Sequence, residues 1–192
     1  MSYAATTFFY ARPGVMHNRA PDPEAAAAPV VDPPPLPPPY KIEGALECED
    51  MEITAQTEGI PIERQYMKGY GRTVSSAELH LFVRPEASGG FVELKFPVAG
   101  KGPHRVQLYA TRSWDYGIVR FFVNGERAGE DVDLFNSEAR AVAATGPIDL
   151  GVHEPVDGAL TLKVEVVGRN PASELTGSYF GLDCVVLTPE KE

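Results

Sequence analysis

Ile118-Val119-Arg120-Phe121-Phe122-Val123-Asn124-Gly125 is the stretch whose reading decides the fold. Its six leading residues are apolar on both faces of an extended chain apart from Arg120, which marks a strand inside a sheet rather than at its rim. Asn124-Gly125 then supplies the two positive-φ positions of a type I′ turn, so the chain returns as a hairpin from about Glu126. The neighbouring segments keep the same period. Phe91-Val92-Glu93-Leu94-Lys95-Phe96 sends Val92, Leu94 and Phe96 one way and its charges the other, and Leu160-Thr161-Leu162-Lys163-Val164-Glu165-Val166 repeats the pattern. Arg105-Val106-Gln107-Leu108-Tyr109-Ala110 alternates likewise, and Asp131-Val132-Asp133-Leu134-Phe135 reads as a further strand. Ser88-Gly89-Gly90, Pro97, Gly100, Gly146-Pro147 and Asp157-Gly158 punctuate these runs as turns. No long stretch holds helical period. The expectation is an all-β fold, an antiparallel β-sandwich of jelly-roll type, over residues 41–189 with a short tail at 190–192.

The chain of 192 residues is 43% hydrophobic, enough for one substantial core. Seventeen basic residues against 27 acidic ones give a net charge of -10, which repels a phosphate backbone and offers anionic lipid no basic patch. Nucleic acid and membrane are therefore not expected partners. The first ten residues lack the basic start of a signal peptide. The chain is expected either to stay inside the cell or to be a segment of a longer protein.

Nine of the 18 prolines fall within residues 21–40, which predicts an extended polyproline spacer that cannot enter a sheet. Residues 1–20 read as a separate segment whose run Tyr3 to Tyr10 is β-prone but has too little chain around it to form a core. A strand without neighbours implies a partner sheet.

The order Ile42-Glu43-Gly44-Ala45-Leu46-Glu47-Cys48-Glu49-Asp50, Phe91 to Val98, Asp115-Tyr116-Gly117, Val123-Asn124-Gly125 and Gly181-Leu182-Asp183 resembles carbohydrate-binding modules of the galactose-binding-like superfamily. It is most similar to the C-terminal accessory module of bacterial double-jelly-roll glycoside-hydrolase-like proteins of the difructose-anhydride-processing family. Ser2 to Ala11 then resembles the closing strand of the preceding catalytic domain. The resemblance implies a glycan as ligand, a catalytic domain as neighbour, and an extracytoplasmic location if the parent is a secreted enzyme. It also implies a structural calcium held by Glu47, Glu49 and Asp183. Period 2 puts Glu47 and Glu49 on one face of the first strand, and three carboxylates serve if carbonyls or water complete the shell. The alternative is that they are solvated edge carboxylates or that one pairs with a Lys or Arg.

Cys48 and Cys184 are expected behind these carboxylates on the core side, either as a disulfide or as two buried thiols. Zinc is not expected, because His17, His80, His104 and His153 show no paired spacing with the cysteines. For the ligand surface the sequence offers Trp114, Asp115 and Tyr116, joined at a loop end by Asn136 and Tyr179. A ring face for sugar C–H groups and a carboxylate for hydroxyls are what such a surface needs. The competing reading is that Trp114 plugs the end of the core with Tyr179 beneath it.

The sequence contains no Gly-x-Ser-x-Gly, no Gly-rich phosphate loop and no His-Glu-x-x-His. Catalysis by this chain alone is not expected. The two functional readings are a non-catalytic carbohydrate-binding module, and a structural or homo-oligomerising module that docks through residues 1–40.

Overall fold

The computed structural model of the chain describes residues 38–71, 73–138 and 140–190. The N-terminal strand and all but the end of the proline-rich linker expected from the sequence lie outside the described residues. Eleven strands and three short 3-10 turns make up the elements. The strands are β1 (Ala45–Glu47), β2 (Glu52–Gln56), β3 (Ile62–Tyr66), β4 (Leu79–Val83), β5 (Phe91–Pro97), β6 (His104–Arg112), β7 (Gly117–Val123), β8 (Glu126–Asp133), β9 (Ala143–His153), β10 (Ala159–Arg169) and β11 (Phe180–Pro189). Among the described residues no helix is long and apolar enough to cross a membrane.

They form two antiparallel sheets. One runs β3-β4-β11-β6-β9 with β1 also on β11, and the other runs β2-β5-β10-β7-β8. The inward residues of both meet in one core. Leu81, Val83, Val106, Leu108, Phe180, Leu182 and Val185 come from the first sheet, and Val92, Leu94, Phe96, Val119, Phe121, Val123, Leu162 and Val164 from the second. Each such side chain contributes about 1.5–3 kcal/mol on burial, so the alternation in the sequence also fixes which way every strand faces. The fold is an all-β antiparallel sandwich of jelly-roll type.

The deciding hairpin forms. Val123 pairs with Glu126, and Asn124 and Gly125 take φ of 50° and 81°. β7 lies between β10 and β8, but the apolar residues on its second face, Ile118 and Phe122, do not join the core. Phe122 is half-buried there under Lys163, whose Nζ lies 5.2 Å from its ring and 4.4 Å from that of Phe91. Cation and stem together cover the two rings. The strand expected over 131–135 is the end of β8, and Phe135 makes an isolated parallel bridge to Ser113.

Candidate functional site

β11 is the last of the described strands, and it carries two partners end to end along one edge. β4 pairs with Phe180 to Leu182, and β1 pairs with Cys184 to Val186, Glu47 standing opposite Cys184. Asp183 falls in the gap between them. On the other edge the register with β6 slips between Leu182↔Ala110 and Cys184↔Tyr109, so Asp183 is the extra residue of a β-bulge. Leu182, Val185 and Leu187 all pack on the core, which leaves Asp183 and Cys184 together off that side. This corrects the expectation that Cys184 lies behind the carboxylates. Its Sγ and the carboxylate oxygens of Glu47 and Asp183 lie within 4.8 Å of one another.

Glu49 also departs from the period-2 reading. The strand stops at Glu47, because the chain has to cross to the other sheet, and Cys48–Asp50 form a 3-10 turn. Glu49 is nevertheless only 6% exposed, and Cys48 enters the core. Cys48 and Cys184 are both buried free thiols, so of the two alternatives for the pair this structure holds the thiols.

Ser76 ties the acidic groups together. Its backbone N–H donates to Asp183 Oδ1 at 2.8 Å and its hydroxyl donates to Glu47 Oε1 at 2.8 Å, while the Ile42 N–H donates to Ser76 Oγ at 3.2 Å. The Cys184 thiol points to Asp183 Oδ2 at 3.8 Å, and Lys41 Nζ stands 3.8 Å from Glu47 Oε1. Glu47 Oε2, Glu49 Oε2 and Ser75 Oγ are buried with no partner. Burial, then the charge of Glu47, pushes the Glu49 carboxyl up to about 7, against its own backbone hydrogen bond. Burial pushes Asp183 up to about 8; the Ser76 bond opposes this, and the charges of Glu47 and Glu49 add to it. Burial and the nearby Asp183 also raise the Cys184 thiol. Unpartnered buried carboxylate oxygens beside raised acids fit a divalent cation, which would neutralise the cluster.

The second expected surface lies at a loop end between β6 and β7. Ser113 starts a tight turn there, with Ser113 Oγ donating to Asp115 Oδ1 at 2.8 Å and the Tyr116 N–H reaching the Ser113 carbonyl at 3.4 Å. The turn packs so closely that a Cβ on Gly117 would stand 2.9 Å from the Gly177 carbonyl oxygen. Tyr116 is buried in the core, stacked on Phe82 at 6.0 Å, and Tyr179 meets the edge of Phe82 at 5.8 Å. These rings floor a groove of about 300 Å³ whose walls include Gln65, Tyr70, Arg84, Trp114 and Leu175.

Trp114, Asp115, Tyr116 and Tyr179 line this groove together; Asn136 is joined to the same turn, its backbone N–H donating to the Ser113 carbonyl at 3.0 Å, but it does not line the groove. Its side-chain amide donates to the Ala141 carbonyl and its oxygen accepts the Glu138 N–H, so it shapes the next loop instead. Two of the wall residues, Trp114 and Arg84, each have a buried side-chain nitrogen, Nε1 and Nε, without a partner. Arg140 lies over the Trp114 ring at 5.2 Å and pairs with Glu174 at 3.3 Å. Sequence reasoning missed Gln65, Tyr70, Arg84 and Leu175, which reach the groove from loops and strands distant in the chain.

No protein-family model matches this chain, and no curated protein matches it. Among solved structures it is similar to a xanthan lyase from Paenibacillus, at a TM-score of 0.61 and 21% identity over 80% of the chain. The chain spans only 14% of that lyase's length. It is also similar to a family 35 carbohydrate-binding module from Paenibacillus barcinonensis, at a TM-score of 0.46 and 14% identity, covering 76% of this chain and 98% of that one. A family 35 module from Clostridium thermocellum gives a TM-score of 0.44 and 13% identity, covering 76% of this chain and 97% of that one. At 21% identity the likeness to the lyase shows a shared fold.

Proposed function

We propose that this chain is a non-catalytic carbohydrate-binding accessory module of a glycoside-hydrolase-like protein, and that it meets its glycan at the groove beside Trp114. The observation that carries the reading is a groove floored by aromatic rings, two of whose wall residues, Trp114 and Arg84, each keep a buried side-chain nitrogen without a partner. Buried donors are normally satisfied. Sugar hydroxyls are acceptors of the right kind, and sugar C–H faces suit the half-buried Trp114 ring. The likeness to a small part of a lyase is in keeping with an accessory role. Calorimetry and glycan arrays on fructans, arabinans and galactans test the proposal with wild type and Trp114→Ala. Binding that the substitution abolishes supports it; flat heats for every glycan sink it.

The same proposal gives Glu47, Glu49 and Asp183 a structural cation, expected from the resemblance as calcium, that ties β1 to β11. Its support is the two unpartnered carboxylate oxygens. A fall in Tm on adding chelator, restored by a divalent cation, is the test.

A second reading is a module that packs on a catalytic domain or on its own copies without binding sugar. It draws on an apolar groove of about 440 Å³ beside β1, lined by Leu46, Pro97, Val98 and Leu187 among others. Light scattering with and without residues 1–40 separates the two, because an assembly role changes the mass.

A further inference from the structure

The bulge at Asp183 gives the acidic cluster a donor that calcium does not use. Calcium takes six to eight oxygens, and a thiol has no place in that shell. Zinc and its chemical neighbours take cysteine sulfur at about 2.3 Å and carboxylate oxygen at about 2.0–2.2 Å in a tetrahedral arrangement. Cys184 Sγ already stands with Glu47 and Asp183 oxygens inside 4.8 Å, one sulfur and two carboxylates of the kinds such an ion takes.

Three further observations suit a closed structural site. Ser76 engages one oxygen of Glu47 and one of Asp183, which is how outer partners fix the aim of carboxylate ligands. Glu49 is 6% exposed with its Oε2 unpartnered, and its charge is felt by Asp183, which makes it the candidate for a fourth ligand. Glu47 also lines an open groove of about 620 Å³, so one carboxylate of the cluster borders space that solvent reaches. Resting on the cation clamp proposed above, we propose that Cys184 is a metal ligand and that the cluster holds a divalent cation of the zinc class, with Glu47, Asp183 and Glu49 as its other ligands. Binding releases the Cys184 proton, now directed at Asp183 Oδ2, to solvent. The lack of paired histidine and cysteine spacing has no bearing on this site, which needs no histidine.

The test uses the full chain without an affinity tag, stripped by chelator and kept under reductant, and titrated with zinc, calcium or cobalt alone. Zinc is expected to bind at one equivalent and raise Tm, with calcium weaker by roughly 100-fold or more. Cobalt is expected to show a sulfur-to-metal charge-transfer band. Cys184→Ala removes that band and weakens zinc by roughly 10- to 100-fold, while Cys48→Ala leaves both in place. Cys184→Ser serves as a second variant if the alanine protein fails to fold. Calcium that stabilises wild type and Cys184→Ala equally, with no thiolate band, overturns the proposal and leaves the clamp standing. A band lost with Cys48→Ala instead overturns the ligand assignment. No stabilisation by any cation overturns both the proposal and the clamp.

Discussion

The backbone N–H of Ser76 donates to Asp183 Oδ1 at 2.8 Å, although 107 residues separate them. The bond holds the 3-10 turn before β4 to the bulge of β11 and gives a buried carboxyl a stronger donor than the Cys184 thiol on its other oxygen. Because Asp183 is raised to about 8 and Glu49 to about 7, the metal-free folded state holds protons that the unfolded chain has already released. Stability of the stripped protein is therefore greatest below about pH 4 for these two groups and is lost as pH rises through the folded values. Calorimetry in chelator should show Tm falling between about pH 5 and 8. Asp183→Asn, which keeps the acceptor for Ser76, should flatten the profile. A Tm that rises over this range would refute the assignment.

Gly181 sits where two buried polar side chains cross over β11. His80 Nδ1 meets Thr111 Oγ1 at 3.1 Å and His80 Nε2 meets Gln65 Oε1 at 2.7 Å. A Cβ on Gly181 would stand 2.4 Å from Thr111 Oγ1 and 2.5 Å from His80 Cε1. Gly181→Ala should therefore destabilise by about 3 kcal/mol, the overpacking cost of a core with no room to yield. Urea unfolding with an unchanged m-value checks it; a loss below about 0.5 kcal/mol would mean the site relaxes freely.

The groove residues should separate binding from stability. Trp114→Ala should lower glycan affinity at least about tenfold by removing the stacking face, with a small change in Tm. Asn136→Ala should do the reverse, costing about 1 kcal/mol through its loop bonds to Ala141 and Glu138 and leaving affinity unchanged. Parallel calorimetric and thermal titrations distinguish the outcomes. Equal losses of affinity in both variants would move the binding surface toward Asn136.

Asn124 does more than tolerate positive φ in its hairpin. Its Nδ2 donates to the Glu154 carbonyl at 2.9 Å and its Oδ1 accepts the Thr161 N–H at 3.1 Å, joining the turn to β10. Asn124→Ala should cost about 1–2 kcal/mol, from strained φ and two lost bonds. Asn124→Gly should recover the backbone part but not the bonds, so its Tm should lie between the two. If glycine restores full stability, the side-chain bonds contribute nothing.

The strands that build the core were legible because half-buried sheets impose period 2. Val92, Leu94 and Phe96 face inward as their alternation requires, and Asn124-Gly125 turns where positive φ is needed. β3 escaped, because Ile62-Glu63-Arg64-Gln65-Tyr66 lies at a sheet edge and has no buried stripe. The cluster was legible as a meeting of chain ends, and Glu47 does stand opposite Cys184. Its chemistry was not. A bulge adds one residue without a sequence signature, and that single insertion turns Asp183 and Cys184 to the same side. Arg84 was likewise invisible, since its role depends on β4 lying beside the 113–116 turn, a relation between distant segments.

The place of β11 has a consequence for how the protein is made. The strand latest in the chain among those described is an interior strand of its sheet, flanked by β1 and β4 on one side and β6 on the other. Until it emerges, β1 and β4 lack the strand that joins them, and β6 exposes an unpaired edge. The first sheet therefore closes only once β11 has been made, and a chain stopped short of Phe180 is missing its keystone rather than its fringe.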